Sequence, residues 1–186
     1  MMFFVWALAA ALSMCTVLLS YFISPIITIF TRPMPYREER DFTWGWLFGT
    51  YDNPPQGDRG WVRERCYFPA VVTGWKGYLN RAGWMWRNPC YGLAKRLSIP
   101  YGCADRIELI GNPDISDKKR IKGYYFVRAY HKDKIVGWEF YTILPYTENK
   151  CFRMRLGWKI ETRKFAMLGF APLVHTITPF KQYGSK

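Results

Sequence analysis

The first 31 residues of the chain contain no Asp, Glu, Lys, Arg or His, and this stretch constrains the fold more than any other feature. An α-helix needs about 20 consecutive apolar residues to cross the hydrocarbon core of a bilayer. We therefore predict a transmembrane helix over residues 3–23. Trp6 and Tyr21 would lie at the two membrane interfaces, where such amphipathic rings are enriched. Pro25 is predicted to end or kink the helix, because proline lacks the backbone N–H of the helical ladder.

Two other interpretations of this stretch are a cleaved signal peptide and a buried core helix. A signal peptide has basic residues before its apolar core and a small-residue cleavage site after it, whereas bulky residues 21–23 follow here. A core helix of a soluble domain usually carries a polar stripe. The candidates for such a stripe are Ser13, Thr16, Ser20 and Ser24. These small residues are equally typical of a contact between helices in a membrane.

Arginines follow the apolar stretch directly, at Arg32, Arg37 and Arg40. Because an excess of Lys and Arg marks the cytoplasmic side of a span, we expect the C-terminal domain in the cytoplasm and a short N-terminal end outside. Together with Trp6 and Tyr21, these arginines are the predicted membrane-anchor residues. Five cysteines without a framework spacing also fit a reducing compartment.

The rest of the chain is basic and rich in aromatic residues. The formal net charge is +13, and 19% of the residues are aromatic. The aromatic content argues against disorder, and the charge indicates an acidic partner, either a phosphate backbone or anionic lipid. We predict an α+β chain in three segments: a transmembrane anchor over 1–31, a juxtamembrane loop region over 32–68, and a helical hairpin plus antiparallel β domain over 69–186.

The helical hairpin is predicted within residues 69–98. Pro69 suits the first position of one helix, and Asn88-Pro89 supplies the cap and first position of the next. The second helix bears Lys95 and Arg96 near its end. A basic, Trp-rich amphipathic segment of this kind lies on a membrane surface in some proteins; the alternative is that its apolar face covers the sheet.

The β domain is predicted from alternating apolar and polar residues over 107–110, 122–130, 135–144, 151–161 and 165–178. A turn at residues 131–134 would place six residues together on one buried face. These six are Tyr125, Val127 and Ala129, opposite Phe140, Trp138 and Val136. The other face then gathers a basic and aromatic set, with Glu139 among it: Arg128, Arg153, Arg155, Lys159, Tyr124, Phe126, Tyr130 and Tyr141.

This basic and aromatic set is the candidate binding surface. Aromatic rings stack on bases while Arg and Lys hold phosphates, as on open sheets that bind single strands. The same set would suit anionic lipid or a protein partner. The alternative is a solvated sheet face without a partner.

Motifs for metal binding or catalysis are not recognisable. Cys66, Cys90, Cys103 and Cys151 form no Cys-x-x-Cys pair, as structural zinc usually requires. The stretch 52–58 has the acidic residues of a cation loop without EF-hand alternation, and turn residues explain it as well. The chain has no Gly-x-Ser-x-Gly elbow and no phosphate-binding glycine loop. We therefore expect no cofactor, no metal and no enzymatic activity.

Several longer runs are familiar together. They are residues 46–58, the Arg87-Asn-Pro89 step, the run 153–159 (Arg-Met-Arg-Leu-Gly-Trp-Lys) and the closing run 179–184. In these runs the chain resembles small uncharacterised membrane-anchored proteins encoded by tailed bacteriophages. The resemblance implies a phage origin and a bacterial host, with the protein in the host inner membrane or carried with the virion. It implies no activity.

These observations lead to two expectations about function. The first is a membrane-anchored, non-enzymatic phage protein whose basic aromatic domain binds a host membrane protein or the anionic inner leaflet. The alternative is a membrane-tethered or virion-associated nucleic-acid-binding protein that acts in genome entry or replication. The sequence leaves the oligomeric state open.

Overall fold

The computed structural model describes residues 1–31, 45–50, 56–100, 104–160 and 170–184. In these ranges the helices are α1 (Met2–Ile29), α2 (Gly45–Phe48), α3 (Gly74–Arg87) and α4 (Tyr91–Arg96), with a π-helical turn at Trp61–Arg65. The strands are β1 (Ile99–Pro100), β2 (Arg106–Gly111), β3 (Gly123–His131), β4 (Lys134–Pro145), β5 (Lys150–Trp158), β6 (Phe170–Ala171) and β7 (Leu173–Gln182). The contacts divide the chain into two units: Met1–Ala10 with Leu97–Lys186, and Ala11–Arg96. The α+β class predicted from the sequence is confirmed.

Pro25 was predicted to end or kink the helix, and α1 continues through it to Ile29, so Pro25 does not end the helix. Proline cannot donate to the carbonyl four residues earlier, which leaves the Tyr21 oxygen without its helical donor. The indole N–H of Trp86 donates to that oxygen at 2.9 Å. A side chain of α3 therefore replaces the missing bond, and the helix does not need to stop.

In the unit formed by Ala11–Arg96, α3 packs against the second half of α1. The Tyr78 hydroxyl donates to the Pro25 carbonyl at 3.2 Å, and Thr28 Oγ1 lies 3.2 Å from Met85 Sδ. Arg81 is buried and donates from Nε to Thr31 Oγ1 at 3.0 Å. Burial lowers the pKa of this guanidinium from its usual value. The unit thus holds small and polar side chains of α1 against a helix with a buried charge.

The segment over 32–68 was predicted as a loop, but part of it is helical. Residues 45–48 form α2 and residues 61–65 form the π-helical turn. Asp58 begins that turn, because its Oδ1 accepts from the Trp61 backbone N–H at 2.6 Å. Its carboxylate therefore acts as a helix cap. Asp52, the other end of the suggested cation loop, lies outside the described residues.

The two predicted helices of residues 69–98 exist with different ends. Helix α3 begins at Gly74 after Thr73, rather than at Pro69, and Asn88 follows its last residue. Asn88 donates from its side chain to the Trp84 carbonyl at 3.3 Å, so it closes α3 and does not cap α4. Both helices belong to the same unit as the part of α1 from Ala11 onward.

The other unit is built on a five-stranded antiparallel sheet in the order β2-β3-β4-β5-β7. Strands β3 and β4 are joined by Lys132 and Asp133, whose φ angles of 47° and 62° are those of a tight two-residue hairpin turn. Strands β1 and β6 form a separate two-stranded pair. The turn and the antiparallel meander agree with the sequence prediction.

The predicted register between β3 and β4 is wrong beyond the first two pairs. Near the turn, Tyr130 lies opposite Ile135 as predicted, but a bulge between Ala129 and Tyr130 shifts every later pair by one residue. Val127 consequently lies opposite Glu139 instead of Trp138. A shift of one residue moves a whole strand's side chains to the other face. Trp138 and Phe140 therefore do not share a face with Val127.

The sheet thus has two distinct faces. The inner face, as we call it, carries Tyr125, Val127, Ala129, Glu139, Tyr141, Ile143, Arg153 and Arg155. The outer face carries Ile110, Tyr124, Phe126, Arg128, Trp138, Phe140, Leu156, Trp158 and Ile177. The first turns of α1 lie on one end of the outer face, where the Phe3 ring is 4.6 Å from that of Trp138. Trp6 also donates its indole N–H to the Val174 carbonyl at 3.2 Å.

Candidate functional site

The predicted basic and aromatic set is divided between the two sheet faces. Tyr141, Arg153 and Arg155 lie on the inner face, whereas Tyr124, Phe126 and Arg128 lie on the outer face. Tyr130 follows the bulge and is buried at the β2–β3 edge, and Lys159 is exposed after the end of β5. The bulge therefore separates side chains that the sequence pattern had placed on a single surface.

Arg155 belongs to a buried polar cluster around Glu139, which has no exposed surface. One oxygen of this carboxylate accepts from Arg155 Nε, and it also accepts the Tyr125 hydroxyl at 3.0 Å. The other oxygen accepts the Ile160 backbone N–H at 2.7 Å. Burial raises the pKa of Glu139 above its usual range, and the Arg155 charge opposes that shift. Arg155 is thus the internal partner of a buried carboxylate.

Arg153 has a similar internal role on the same face. Its guanidinium lies 3.1 Å from the largely buried Asp117 carboxylate, which Lys181 approaches at 3.8 Å. The Arg155 guanidinium stacks over the Tyr141 ring at 5.2 Å. Burial raises the pKa of the Tyr141 hydroxyl. The inner-face members of the predicted set therefore form a structural network and leave little positive charge for an external partner.

Arg128 is paired at the β2–β3 edge of the outer face. Glu108 accepts the Tyr130 hydroxyl at 2.6 Å, is bonded by Arg106, and lies 4.0 Å from Arg128. The Tyr130 hydrogen bond, followed by the two arginines, lowers the pKa of Glu108 from its usual value. This cluster is a local exposed network in which one carboxylate is shared by two arginines.

Helix α1 has two faces of opposite character. Its covered face is rich in small hydroxyl residues, namely Ser13, Ser20, Ser24 and Thr28. Its exposed face is apolar, with Phe4, Leu8, Leu12, Leu18, Leu19, Phe22, Ile26 and Ile29. A helix on the surface of a soluble domain does the reverse, hiding its apolar stripe and exposing its polar one. We call the exposed set the apolar face of α1 and the covered set its hydroxyl face.

The predicted membrane-anchor residues have different surroundings. Trp6 is half-buried against the sheet by its contact with Trp138 (5.1 Å between ring centroids), whereas Tyr21 is 46% exposed. Arg32, Arg37 and Arg40 lie outside the described residues. Within the described part of the chain, α1 is the one helix that is long and apolar enough to cross a membrane. Its first turns nevertheless lie beside the sheet.

A basic hairpin between β2 and β3 was not predicted from the sequence. Ser116 and Ile121 pair through two backbone hydrogen bonds of 2.9 and 3.0 Å, which close a turn over residues 117–120. Its exposed cations are Lys118, Lys119, Arg120 and Lys122. Four cations in five residues were the available signal, but the run lies outside the alternating segments that defined the strands.

The described residues contain no group of three His, Cys, Asp or Glu side chains that could hold a metal ion. Cys66, Cys90 and Cys151 are buried. Burial raises the pKa of the Cys90 thiol, which disfavours the reactive thiolate. Cys103 lies outside the described residues.

Comparison with known proteins gives a family and no function. The model of a family of unknown function (DUF7338) matches residues 1–185. The searches of curated proteins and of solved structures returned no significant match.

Proposed function

Because the chain belongs to this family of unknown function, we propose a role from its own structure. In this proposal it is a non-enzymatic membrane-bound protein of phage origin. The apolar face of α1 is embedded in lipid, and the basic sheet unit lies at the anionic inner leaflet of the bacterial host, where it binds lipid or a host membrane protein.

The inverted burial of α1 is the observation that supports this proposal most strongly. Leu12 and Leu19 are each more than half exposed, while Ser20 and Ser24 have no exposed surface. Exposing a contiguous row of large apolar side chains to water costs roughly 25 cal/mol per Å². Lipid removes this cost, and it tolerates the small residues at the helix–helix contact. A contiguous exposed row of large apolar side chains marks an interaction surface.

The contacts of α1 favour an embedded surface helix over the predicted single span. In one unit, Trp6 and Phe3 contact the sheet, whereas a span with its N-terminal end outside would require the membrane to separate them. In the other unit, Cys90 Sγ contacts the carbonyl of Thr16, near the middle of α1.

A crossing helix with these neighbours would draw α3 into the hydrocarbon. The exposed charged residues Lys76 and Arg87 lie on α3, and a charge at the bilayer centre costs roughly 3 kcal/mol. Surface embedding keeps both charges in water. It also keeps the contacts of the first turns with the sheet.

The cytoplasmic side and the phage host remain part of the proposal. Support comes from the net charge of +13, since the cytoplasmic leaflet is negative and attracts basic segments. The alternative of nucleic-acid binding has support from the same charge and from the exposed basic hairpin. Arg153 and Arg155 do not support nucleic-acid binding, because they are paired with Asp117 and Glu139.

Membrane extraction tests the proposal. Wild-type protein should stay with membranes through high salt and alkaline carbonate. The Leu12→Arg/Leu19→Arg variant should be released, because two charges enter the apolar face, while Leu12→Ala/Leu19→Ala should be retained. All three proteins should have the same circular dichroism in detergent, since both positions are exposed. Release of the wild type by salt alone, or equal retention of the Arg and Ala variants, would contradict the proposal.

A further inference from the structure

We propose that the uncovered part of the outer sheet face, together with the cations at that end of the sheet, is a second membrane-contact surface that binds anionic lipid. This inference rests on the proposed function and adds a site to it. The bilayer contact would then include the sheet unit itself, in addition to α1.

The uncovered part of the outer face is apolar. Tyr124, Leu144 and Ile177 are 52%, 54% and 58% exposed, and Phe180 is 78% exposed. The register aligns Tyr124, Thr142, Met154 and Ile177 in one row across four strands. Phe180 lies at a register irregularity, because Pro179 and Phe180 both fall between the inner-face residues Thr178 and Lys181, the partners of Arg153 and Cys151. The two residues of such a bulge oppose the single residue Phe152, which is on the outer face, so we place Phe180 on that face. A patch of this kind on a sheet indicates a partner that removes it from water.

The patch is continuous with α1 through a series of aromatic rings. Phe3 in the first turn of α1 contacts Trp138, whose ring lies 6.2 Å from that of Phe126. Phe126 pairs with Phe140, whose ring lies 6.4 Å from that of Tyr124. These rings connect the first turn of α1 with the outer face, and this continuity favours lipid over a separate protein partner as the occupant.

Cations surround this end of the sheet. Exposed positive side chains come from the hairpin and from the start of β5: Lys118, Lys119, Arg120, Lys122 and Lys150. Exposed carboxylates at the same end are those of Asp114 and Glu148. Lys and Arg near an anionic leaflet are each attracted by roughly 1 kcal/mol. Apolar side chains with a basic rim are the composition of surfaces that lie in the lipid–water interface.

The hairpin that carries most of these cations is held firmly on the sheet. The Gly184 N–H donates to the Asp117 carbonyl at 2.7 Å, and Arg120 donates to Asn149 Oδ1 at 3.0 Å. Ile115 belongs to the buried core cluster. The backbone that carries these cations is therefore already ordered, which reduces the ordering required on binding.

Site-specific fluorescence in reconstituted full-length protein tests the proposal. In a background with Cys15 and Cys103 changed to Ser, the Phe180→Cys variant carries an environment-sensitive NBD label. Vesicles of phosphatidylcholine with phosphatidylglycerol contain a lipid-borne doxyl quencher. We expect strong quenching at position 180. Thr176→Cys is the matched control, because Thr176 is exposed on the same strand but pairs with Arg155 on the inner face; we expect little quenching there.

Two further arms separate the possible outcomes. Lys118→Glu/Lys119→Glu/Lys122→Glu should reduce quenching at position 180 to the level in pure phosphatidylcholine. A label on the Leu12→Cys variant reports on α1. If this label is quenched but the labels at positions 176 and 180 are quenched equally, this inference alone is overturned. If the label at position 12 is not quenched, the proposed function is overturned. Protection of the label at 180 by a single-stranded oligonucleotide instead of anionic lipid would assign the surface to nucleic acid and also overturn it.

Discussion

Trp86 and Tyr21 are joined by a hydrogen bond of 2.9 Å in which the indole N–H of α3 donates to a carbonyl of α1. Pro25 leaves that carbonyl without its helical donor. The bond therefore lets α1 pass through a proline and fixes α3 against it. Tyr78 donates to the Pro25 carbonyl itself, at 3.2 Å. The two helices are therefore joined one turn before the proline and at the proline.

A double-mutant cycle measures this replacement. Trp86→Phe should lower the free energy of unfolding in detergent by about 1 kcal/mol, the net value of a typical hydrogen bond. In a Pro25→Ala background the new backbone N–H can bond to the Tyr21 carbonyl. The same Trp86→Phe change should then cost measurably less. Equal costs in both backgrounds would show that the indole does not substitute for the missing donor.

Charge reversal of Arg155 should destabilise the sheet unit. From the sequence pattern, Arg153 and Arg155 were predicted on an exposed surface, where a charge contributes little to stability. In the structure Arg155 pairs with Glu139, which is fully buried. Removing one partner of a buried pair costs about 3–5 kcal/mol. Thermal unfolding of Arg155→Glu should therefore shift strongly downward, whereas Lys159→Glu, at an exposed position, should melt as the wild type does.

Two tryptophans of the outer face should be among the most sensitive core positions. Trp138 and Trp158 are 4% and 2% exposed, and their ring centroids are 6.4 Å apart. Trp→Ala at either position should cost roughly 3–5 kcal/mol. Chemical denaturation measures this loss. Trp75→Ala is the control, since that ring is 64% exposed, and wild-type stability of the Trp138 and Trp158 variants would refute the core described here.

The stability of the sheet unit should fall in alkali because of Tyr125. Burial, followed by the charge of Glu139, raises the pKa of this hydroxyl above its usual value. The folded protein then keeps the proton above about pH 10, where an unfolded tyrosine loses it. Stability from this group is fully present below that pH and is lost as the pH rises above it, by up to about 1.4 kcal/mol per pH unit.

Denaturation at a series of alkaline pH values measures this slope. Tyr125→Phe has no hydroxyl to titrate, so its stability should decline less steeply with pH than that of the wild type. Its stability near neutral pH should be lower, because the hydrogen bond to Glu139 at 3.0 Å is absent. Identical slopes for the two proteins would exclude a raised pKa at Tyr125.

Much of the sheet could be predicted from local pattern, and its register could not. Alternation identified the long strands, and the turn at Lys132 and Asp133 was recognised from its position between them. The bulge next to Ala129 was missed because it adds a residue without breaking the alternation. Gly137, the partner of Ala129, was the available signal. A Cβ there would lie 2.1 Å from Ile99 Cδ1, and glycine in a strand often marks a bulge or a close approach.

The candidate site depended on tertiary contacts that a pattern does not contain. The stripe of Ser13, Ser20 and Ser24 was recognisable in the sequence, and the structure shows it covered by protein. The burial of this serine stripe depends on the packing of α3, which is distant in sequence. Glu139 and Arg155 were predicted on one face and do share a face in the structure. The shifted register places Val127 and Tyr125 on that face, so it is the buried one, whereas the sequence pattern treated it as exposed.

We propose that α1 lies along the membrane surface with its apolar face in lipid. Labels at Phe4, Leu12, Leu19 and Ile26, all exposed on that face, follow α1 from one end to the other. Depth-dependent quenching by lipids with doxyl groups at different chain positions should place all four at a similar shallow depth, about 5–10 Å into the headgroup and acyl boundary. In a helix that crosses the membrane, the labels at Phe4 and Ile26 would be shallow, and those at Leu12 and Leu19 would lie near the bilayer centre, about 15 Å deep. That result would contradict the proposed position of α1 along the membrane surface.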